Sequence, residues 1–132
     1  MAYLVDSDWV IDYLAGVPDA LELLDRLADE RIAISIVTYM EVNQGVERSE
    51  DPLKAEQLFS AFVASVPLLP ISPAAARRCA TLREALRRQG KRVNNRALDL
   101  LIAATAIEHG LMLVTRNVED YADIPDITIY RR

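Results

Sequence analysis

Three acidic residues far apart in the chain, Asp6, Glu41 and Asp99, are candidates for one site. Local structure alone explains Asp99 poorly, a helix cap explains Asp6 as well as function does, and a capping box is the better local account of Glu41. Asp99 lies in RALDLLIAATAIEHG, which is apolar on nearly every side around it. A carboxylate carried into such surroundings is costly unless a cation or a full set of hydrogen bonds goes with it. Arg96 one turn earlier, or the helix N-terminus, offers only a modest electrostatic gain. Asp6 directly follows the apolar run AYLV and precedes SDW, so it either caps a helix or faces a ligand at a strand end; Ser7 or Asp8 would cap equally well. Glu41 completes Thr38-x-x-Glu41, a capping-box pattern that still lets it project toward the same end of a sheet. Asp120, in TRNVEDYAD, reads by itself as an ordinary loop aspartate.

Gathered at one place, these carboxylates would repel one another, and a divalent cation would relieve that repulsion. Oxygen-rich sites of this kind suit Mg²⁺ or Mn²⁺. Such an ion orients a phosphodiester, generates hydroxide from water and stabilises the leaving oxygen, so no histidine or serine nucleophile is required. The supply of other ligands agrees: there is one cysteine, Cys79, and one histidine, His109, which excludes disulfides and the paired-cysteine or paired-histidine zinc signatures. Cys79 reads as a small core residue and His109 as a structural residue at a helix end.

Several elements must position these residues. Short apolar runs at 2–5, 32–36, 111–115 and 126–130 read as strands, with 67–71 either a strand or an extended link. Helices are expected over 8–14 and 19–28, from Thr38, over 52–65, over 73–89 behind a Ser72 cap, and from an Asn94 or Asn95 cap to His109. Short strands alternating with helices predict a three-layer α/β/α sandwich on a mostly parallel central sheet, as a single domain over 1–132. Ligands bind such sheets at the carboxyl ends of the strands, which is where Asp6, Asn117 and Asp120 fall. The 52% hydrophobic content supports a real core. No signal-peptide pattern or membrane-length apolar run is present, so the default location is the cytoplasm.

The segments YLVDSDWVIDYL, IVTYMEVNQG and LDLLIAATAIEHGLMLVTRNVEDY together resemble the PIN-domain ribonucleases, closely those of the VapC toxin type. The likeness spans nearly the whole chain and is most specific from Asp99 to Tyr121. It implies Mg²⁺ binding by Asp6 and Asp99, with Glu41 a further acidic contributor, directly or through water. At the fourth acidic position this chain has Asn117 where many members carry Asp, while others rely on the residue three places later, here Asp120. Asn117 lowers the charge of the site and bears on whether a second metal binds; Thr115 and Asn117 would orient water or phosphate. The resemblance further implies endonucleolytic RNA cleavage, a homodimer and a small cognate antitoxin.

The net charge of −5 does not favour nucleic acid as a whole, yet residues 77–96 carry +7 and leave −12 elsewhere. Arg83, Arg87 and Lys91 recur along one face while Cys79, Leu82 and Leu86 share another. Such a stripe is often merely solvated, but its one-sided sign favours phosphate contact. Arg83, Arg87, Arg88, Lys91, Arg92 and Arg96 are therefore candidate RNA contacts, joined by Thr115 and Arg116; docking an antitoxin or a second copy is their alternative use. Trp9, Tyr39 and Tyr121 have rings able to stack on a base, with Trp9 better placed in the core. Two other readings compete: a catalytically silent RNA- or antitoxin-binding module, and a haloacid-dehalogenase-like phosphatase with Asp6 as nucleophile and Asp8 as acid, for which the supporting lysine and late acidic pair are missing.

Overall fold

The structure is a computed structural model that describes residues 2–132. Its centre is a parallel sheet of β1 (Tyr3–Val5), β2 (Ile32–Ser35), β3 (Leu68–Leu69) and β4 (Met112–Val114), in the order β3-β2-β1-β4. Around it lie α1 (Ser7–Leu14), α2 (Pro18–Ala28), α3 (Ile36–Arg48), α4 (Pro52–Val63), α5 (Pro73–Arg88) and α6 (Ala97–Glu108). Successive strand residues point to opposite faces, and the two faces have separate cores. Tyr3, Val5, Ile32, Ile34 and Val114 pack against Trp9 and Val10 of α1, Leu23, Leu24 and Leu27 of α2, and Phe59 of α4. Leu4, Ala33 and Leu113 pack against Cys79, Leu82 and Leu86 of α5 and Leu100, Ile102 and Ala103 of α6. Both faces being covered accounts for strands that are apolar throughout and for the three-layer α/β/α sandwich.

The chain runs from β1 outward through β2 to β3, then returns to the other side of β1 for β4. That reversal opens a crevice between the carboxyl ends of β1 and β4. Asp6 stands on one side of it and Thr115 on the other, with the Asp6 N–H donating to the Val114 carbonyl at 2.9 Å. The α3 helix leaves the end of β2 beside them, and α6 crosses the opposite layer with Asp99 in its first turn.

Four local expectations are corrected. The α3 helix starts at Ile36, not Thr38: Ser35 is its cap, accepting the Thr38 N–H at 3.0 Å, so no Thr38–Glu41 capping box forms. Neither Asn94 nor Asn95 caps α6; the cap residue is Arg96, without a side-chain bond, and the Asn94 Oδ1 accepts from Arg83 instead. The α1 helix starts at Ser7, not Asp8, and of the caps left open Asp6 is the one used. Residues 126–130 run beside β4 but make only the Leu113–Ile129 bridge, because the approach through Pro125 and Asp126, the latter at φ 68°, turns the backbone out of extended form. The 67–71 stretch contributes the two-residue edge strand β3.

Leu100 is fully buried next to Asp99 and anchors α6 to the sheet. Leu100→Ala is expected to lower unfolding free energy by about 2–5 kcal/mol in denaturant titration; a change within ~0.5 kcal/mol would mean the α6 layer is not packed as described.

Candidate active site

Asp6 is buried, at 5% exposure, at the end of β1. Its Oδ1 accepts from the Ser7 N–H at 2.8 Å, which caps α1. Its Oδ2 accepts from the Thr115 hydroxyl at 2.8 Å and from the Tyr121 hydroxyl at 3.3 Å. The same Tyr121 hydroxyl reaches Asp99 Oδ1 at 3.2 Å, so Asp6 and Asp99 lie within two hydrogen bonds of each other across 93 residues of sequence. Glu41 projects from α3 into the same region: its carboxyl is pushed up by burial, lowered by a Ser7 hydroxyl bond and raised again by Asp6 and Asp99. Its Oε1 is buried and has no hydrogen-bond partner.

The electrostatics follow from that crowding. Burial chiefly raises Asp6 and Asp99, each is pushed further by Asp120, and Asp99 also by Asp6. Burial and then Asp6 push Asp8 up to about 6. The Tyr121 phenol is driven far above the usual tyrosine range by burial and by the two aspartates it touches, so it stays a donor. Among the described residues no ion pair involves Asp6, Glu41 or Asp99.

The loop after β4 is fastened at both ends. Asp8 Oδ2 accepts from the Arg116 N–H and from the Asn117 side-chain amide, both at 3.2 Å, and the Thr115 hydroxyl accepts from the Asn117 N–H at 3.1 Å. The Arg116 guanidinium lies 3.7 Å over the Trp9 ring and bonds Asp12 and Asp19. At the other end Arg96 grips Asp123 through two bonds, at 2.7 and 2.9 Å, and the Asp120 carbonyl at 2.9 Å. Asp120 is exposed, and its carboxylate acts on the site through its charge.

The basic residues of 77–96 separate into two groups. Arg87 and Arg88 are paired with Glu84, and Lys91 and Arg96 with Asp123. Arg83 is exposed and bonds the Asn94 side chain, and Arg92 is exposed with no ion pair among the described residues. A cleft lined by Arg92, Arg96, Asn95, Asp99, Asp120 and Asp123 places Arg92 and Arg96 beside Asp99. Arg116 is exposed and engaged by Trp9, Asp12 and Asp19. Two features were not read from sequence. The sequence offers Tyr121 only as a stacking ring, and nothing in its local pattern shows a hydroxyl reaching Asp6 and Asp99. The sequence offers Asp8 only as a cap or a phosphatase acid; its place two residues after Asp6 is the one sequence clue to its position beside the site.

Hard cations take oxygen ligands, and the donor set here is carboxylates and hydroxyls. Among the described residues no three His, Cys, Asp or Glu side chains converge as a finished coordination shell. What the cleft supplies is carboxylate oxygens steadied by neutral donors, one of them, Glu41 Oε1, without any partner. An unpaired buried acceptor is a costly arrangement that a cation would relieve, so these residues fit a divalent ion.

Residues 3–126 match the PIN domain family. The chain belongs to the PIN-domain family. Among relatives of this PIN domain, ribonuclease VapC19 of Mycobacterium tuberculosis is 35% identical over 94% of the chain and 95% of its own length. The tRNA(fMet)-specific endonuclease VapC of Shigella flexneri is 29% identical over 92% of the chain and 90% of its own. The structure of VapBC2 from Rickettsia felis bound to a promoter DNA fragment superposes with a TM-score of 0.87 at 25% identity, covering 98% of both chains. A toxin–antitoxin complex from Klebsiella pneumoniae gives 0.76 at 30% identity, over 98% of this chain and 99% of that one. This membership displaces the dehalogenase-type reading. It agrees with Asp6, whose two oxygens are both engaged by donors.

Asp6, Asp8, Glu41 and Asp99 all lie above their ordinary values, so without metal the folded protein holds protons that the unfolded chain has released. Their contribution to stability is present below the unfolded values, 3.8 for Asp, and is lost as pH rises through about 6 for Asp8. In EDTA, Asp99→Asn is therefore expected to raise the melting temperature more at pH ~7.5 than at pH ~5. Equal melting shifts at the two pH values would contradict the mutual repulsion described.

Proposed function

We propose that this PIN domain cleaves RNA at the cleft between Asp6, Glu41 and Asp99, using a divalent cation, Mg²⁺ or Mn²⁺ in its place, with water as nucleophile. The chain is an endoribonuclease of the VapC type and the toxin of a toxin–antitoxin pair, supported by the family match and the ribonuclease and toxin–antitoxin relatives. The observation that carries the metal reading is the pairing of Asp6 and Asp99 through the shared Tyr121 hydroxyl, with the Glu41 carboxyl near enough to be raised by both charges. Asp6 and Asp99 would hold the ion, with Glu41 reaching it directly or through water. When bound, such an ion neutralises the carboxylates, polarises a phosphodiester oxygen and makes a water acidic enough to lose a proton near neutral pH.

The chain's own residues do the positioning. The Thr115 hydroxyl holds Asp6 Oδ2, and Asp8 fixes Asn117, whose amide donates to it and whose carbonyl oxygen is left to orient water or a phosphate-bound hydroxyl. Asn117 adds no charge, so the site is read as holding one ion. Arg92 in the cleft, with Arg83 beyond it, supplies the phosphate contacts, and RNA as substrate places the work in the cytoplasm. A homodimer is the proposed assembly, on the resemblance alone. No observation favours a catalytically silent module, since Asp6, Glu41 and Asp99 are all present and Asp6 and Asp99 share the Tyr121 hydroxyl.

Cleavage of a single-stranded RNA is expected to require Mg²⁺ and to stop in EDTA. Asp99→Asn is expected to lower the rate by ~100-fold or more. Thr115→Val, which removes the donor to Asp6, should weaken metal affinity or activity by about 10–100-fold. Chelator-resistant cleavage, or wild-type activity in Asp99→Asn, would end the metal reading.

Replacing Arg83 and Arg92 together should weaken RNA binding and reduce the slope of log affinity against log salt by up to about 2. Replacing Arg116 should leave that slope unchanged while lowering the melting temperature. A slope altered by Arg116 and untouched by Arg83 and Arg92 would reverse the assignment.

A further inference from the structure

Tyr121 is fully buried, and its ring packs among residues of the α5–α6 core. A phenylalanine would fill that space without a polar atom, and a buried hydroxyl is costly unless it is partnered. This hydroxyl leaves the core at one point only, the crevice, where it meets Asp6 Oδ2 at 3.3 Å and Asp99 Oδ1 at 3.2 Å. A phenol has a single proton to donate. The two distances are nearly equal, and both exceed the 2.7–2.8 Å usual for an O–H···O bond, so one proton serves two acceptors. Among the described residues Tyr121 is the one side-chain donor to Asp99; Asp6 has Thr115 and the Ser7 N–H besides. Without the hydroxyl, nothing fixes the Asp99 carboxylate relative to Asp6.

We propose that the Tyr121 hydroxyl is a positioning group of the active site, bridging Asp6 and Asp99 so that the two carboxylates stand at a set separation for a divalent cation before it arrives. The bridge works because the donor is neutral and rigidly mounted. An arginine or lysine in its place would cancel the negative charge that draws the ion, and a mobile serine would leave the separation loose. The ring is held by the core, the segment that carries it is tied down by Arg96 on Asp123 and on the Asp120 carbonyl, and the hydroxyl thereby transfers the rigidity of the fold to two carboxylates on different layers. Binding an ion to groups already in place avoids the ordering that a loose pair would undergo.

This inference rests on the reading of Asp6 and Asp99 as metal ligands, and the experiment separates the two. Mn²⁺ binding to the purified protein is measured by calorimetry and by the Mn²⁺ electron paramagnetic resonance signal, for wild type, Asp99→Asn, Tyr121→Phe and Tyr121→4-aminophenylalanine. If wild type binds Mn²⁺ no better than Asp99→Asn, the metal reading itself is lost, and this proposal with it. If wild type binds and Asp99→Asn does not, the expected result is about tenfold weaker Mn²⁺ binding by Tyr121→Phe. Its melting temperature in EDTA should stay within a few degrees of wild type, and 4-aminophenylalanine, which restores a donor at the same place, should recover most of the affinity. Unchanged or tighter binding by Tyr121→Phe, or a loss that 4-aminophenylalanine does not recover, would overturn the positioning role while leaving the metal reading intact.

Discussion

Everything at the functional end of this PIN domain follows from like charges held close together with no direct ion pair to Asp6, Glu41 or Asp99 among the described residues. Asp6, Glu41 and Asp99 are brought to the end of the sheet by three different elements; burial raises each carboxyl, Asp6 adds to Glu41 and Asp99, and Asp120 adds to Asp6 and Asp99. The chain has fifteen lysines and arginines, and those nearest are engaged elsewhere: Arg116 with Asp12 and Asp19, Arg96 and Lys91 with Asp123. Neutral groups, the Thr115 and Tyr121 hydroxyls and the Ser7 N–H, take their place. A site left short of positive charge in this way is unfavourable for the apo fold and favourable for an incoming cation, which is one imbalance seen from two sides.

The fold supplies the stiffness that keeps such a site open. Repelling carboxylates would separate if their supports could move, but Asp6 is rooted in a fully buried strand and Asp99 in a helix whose inner face is packed solid. The loop after β4 is the remaining piece, and two arginines fasten it. Arg116 fixes its start to α1 and α2 through Trp9 and two aspartates, and Arg96 fixes its end to the start of α6. These arginines lie beside the site and act on it through the backbone they hold.

Asp99 was legible because an apolar helix makes a charge conspicuous, and Asp6 because it ends an apolar strand. The layered architecture was legible because strands buried on both faces are apolar without alternation. Local patterns failed where two solutions were chemically equivalent. Thr38-x-x-Glu41 looks like the start of a helix, but Ser35 caps α3 three residues earlier, which leaves Glu41 outside any capping box. The charge asymmetry of 77–96 was real, yet counting charges ignored partners far away in sequence: Asp123 engages Lys91 and Arg96. Tyr121 was missed for the same reason, since both of its contacts are long-range. The segment 126–130 has a strand's composition, but its backbone enters from a left-handed turn and meets β4 at one bridge.

The two ends of the sheet have a further meaning for a protein that passes between bound and free forms. A flat, unpaired strand edge is a template on which copies of a chain can polymerise. Here one margin is β3, only two residues long, and the other, β4, has its outward groups occupied by Leu113 bonding Thr128 and Tyr130. Neither margin offers enough free backbone to recruit another strand. Pairing of this sheet with a strand of another copy is therefore confined to a few backbone groups at each margin.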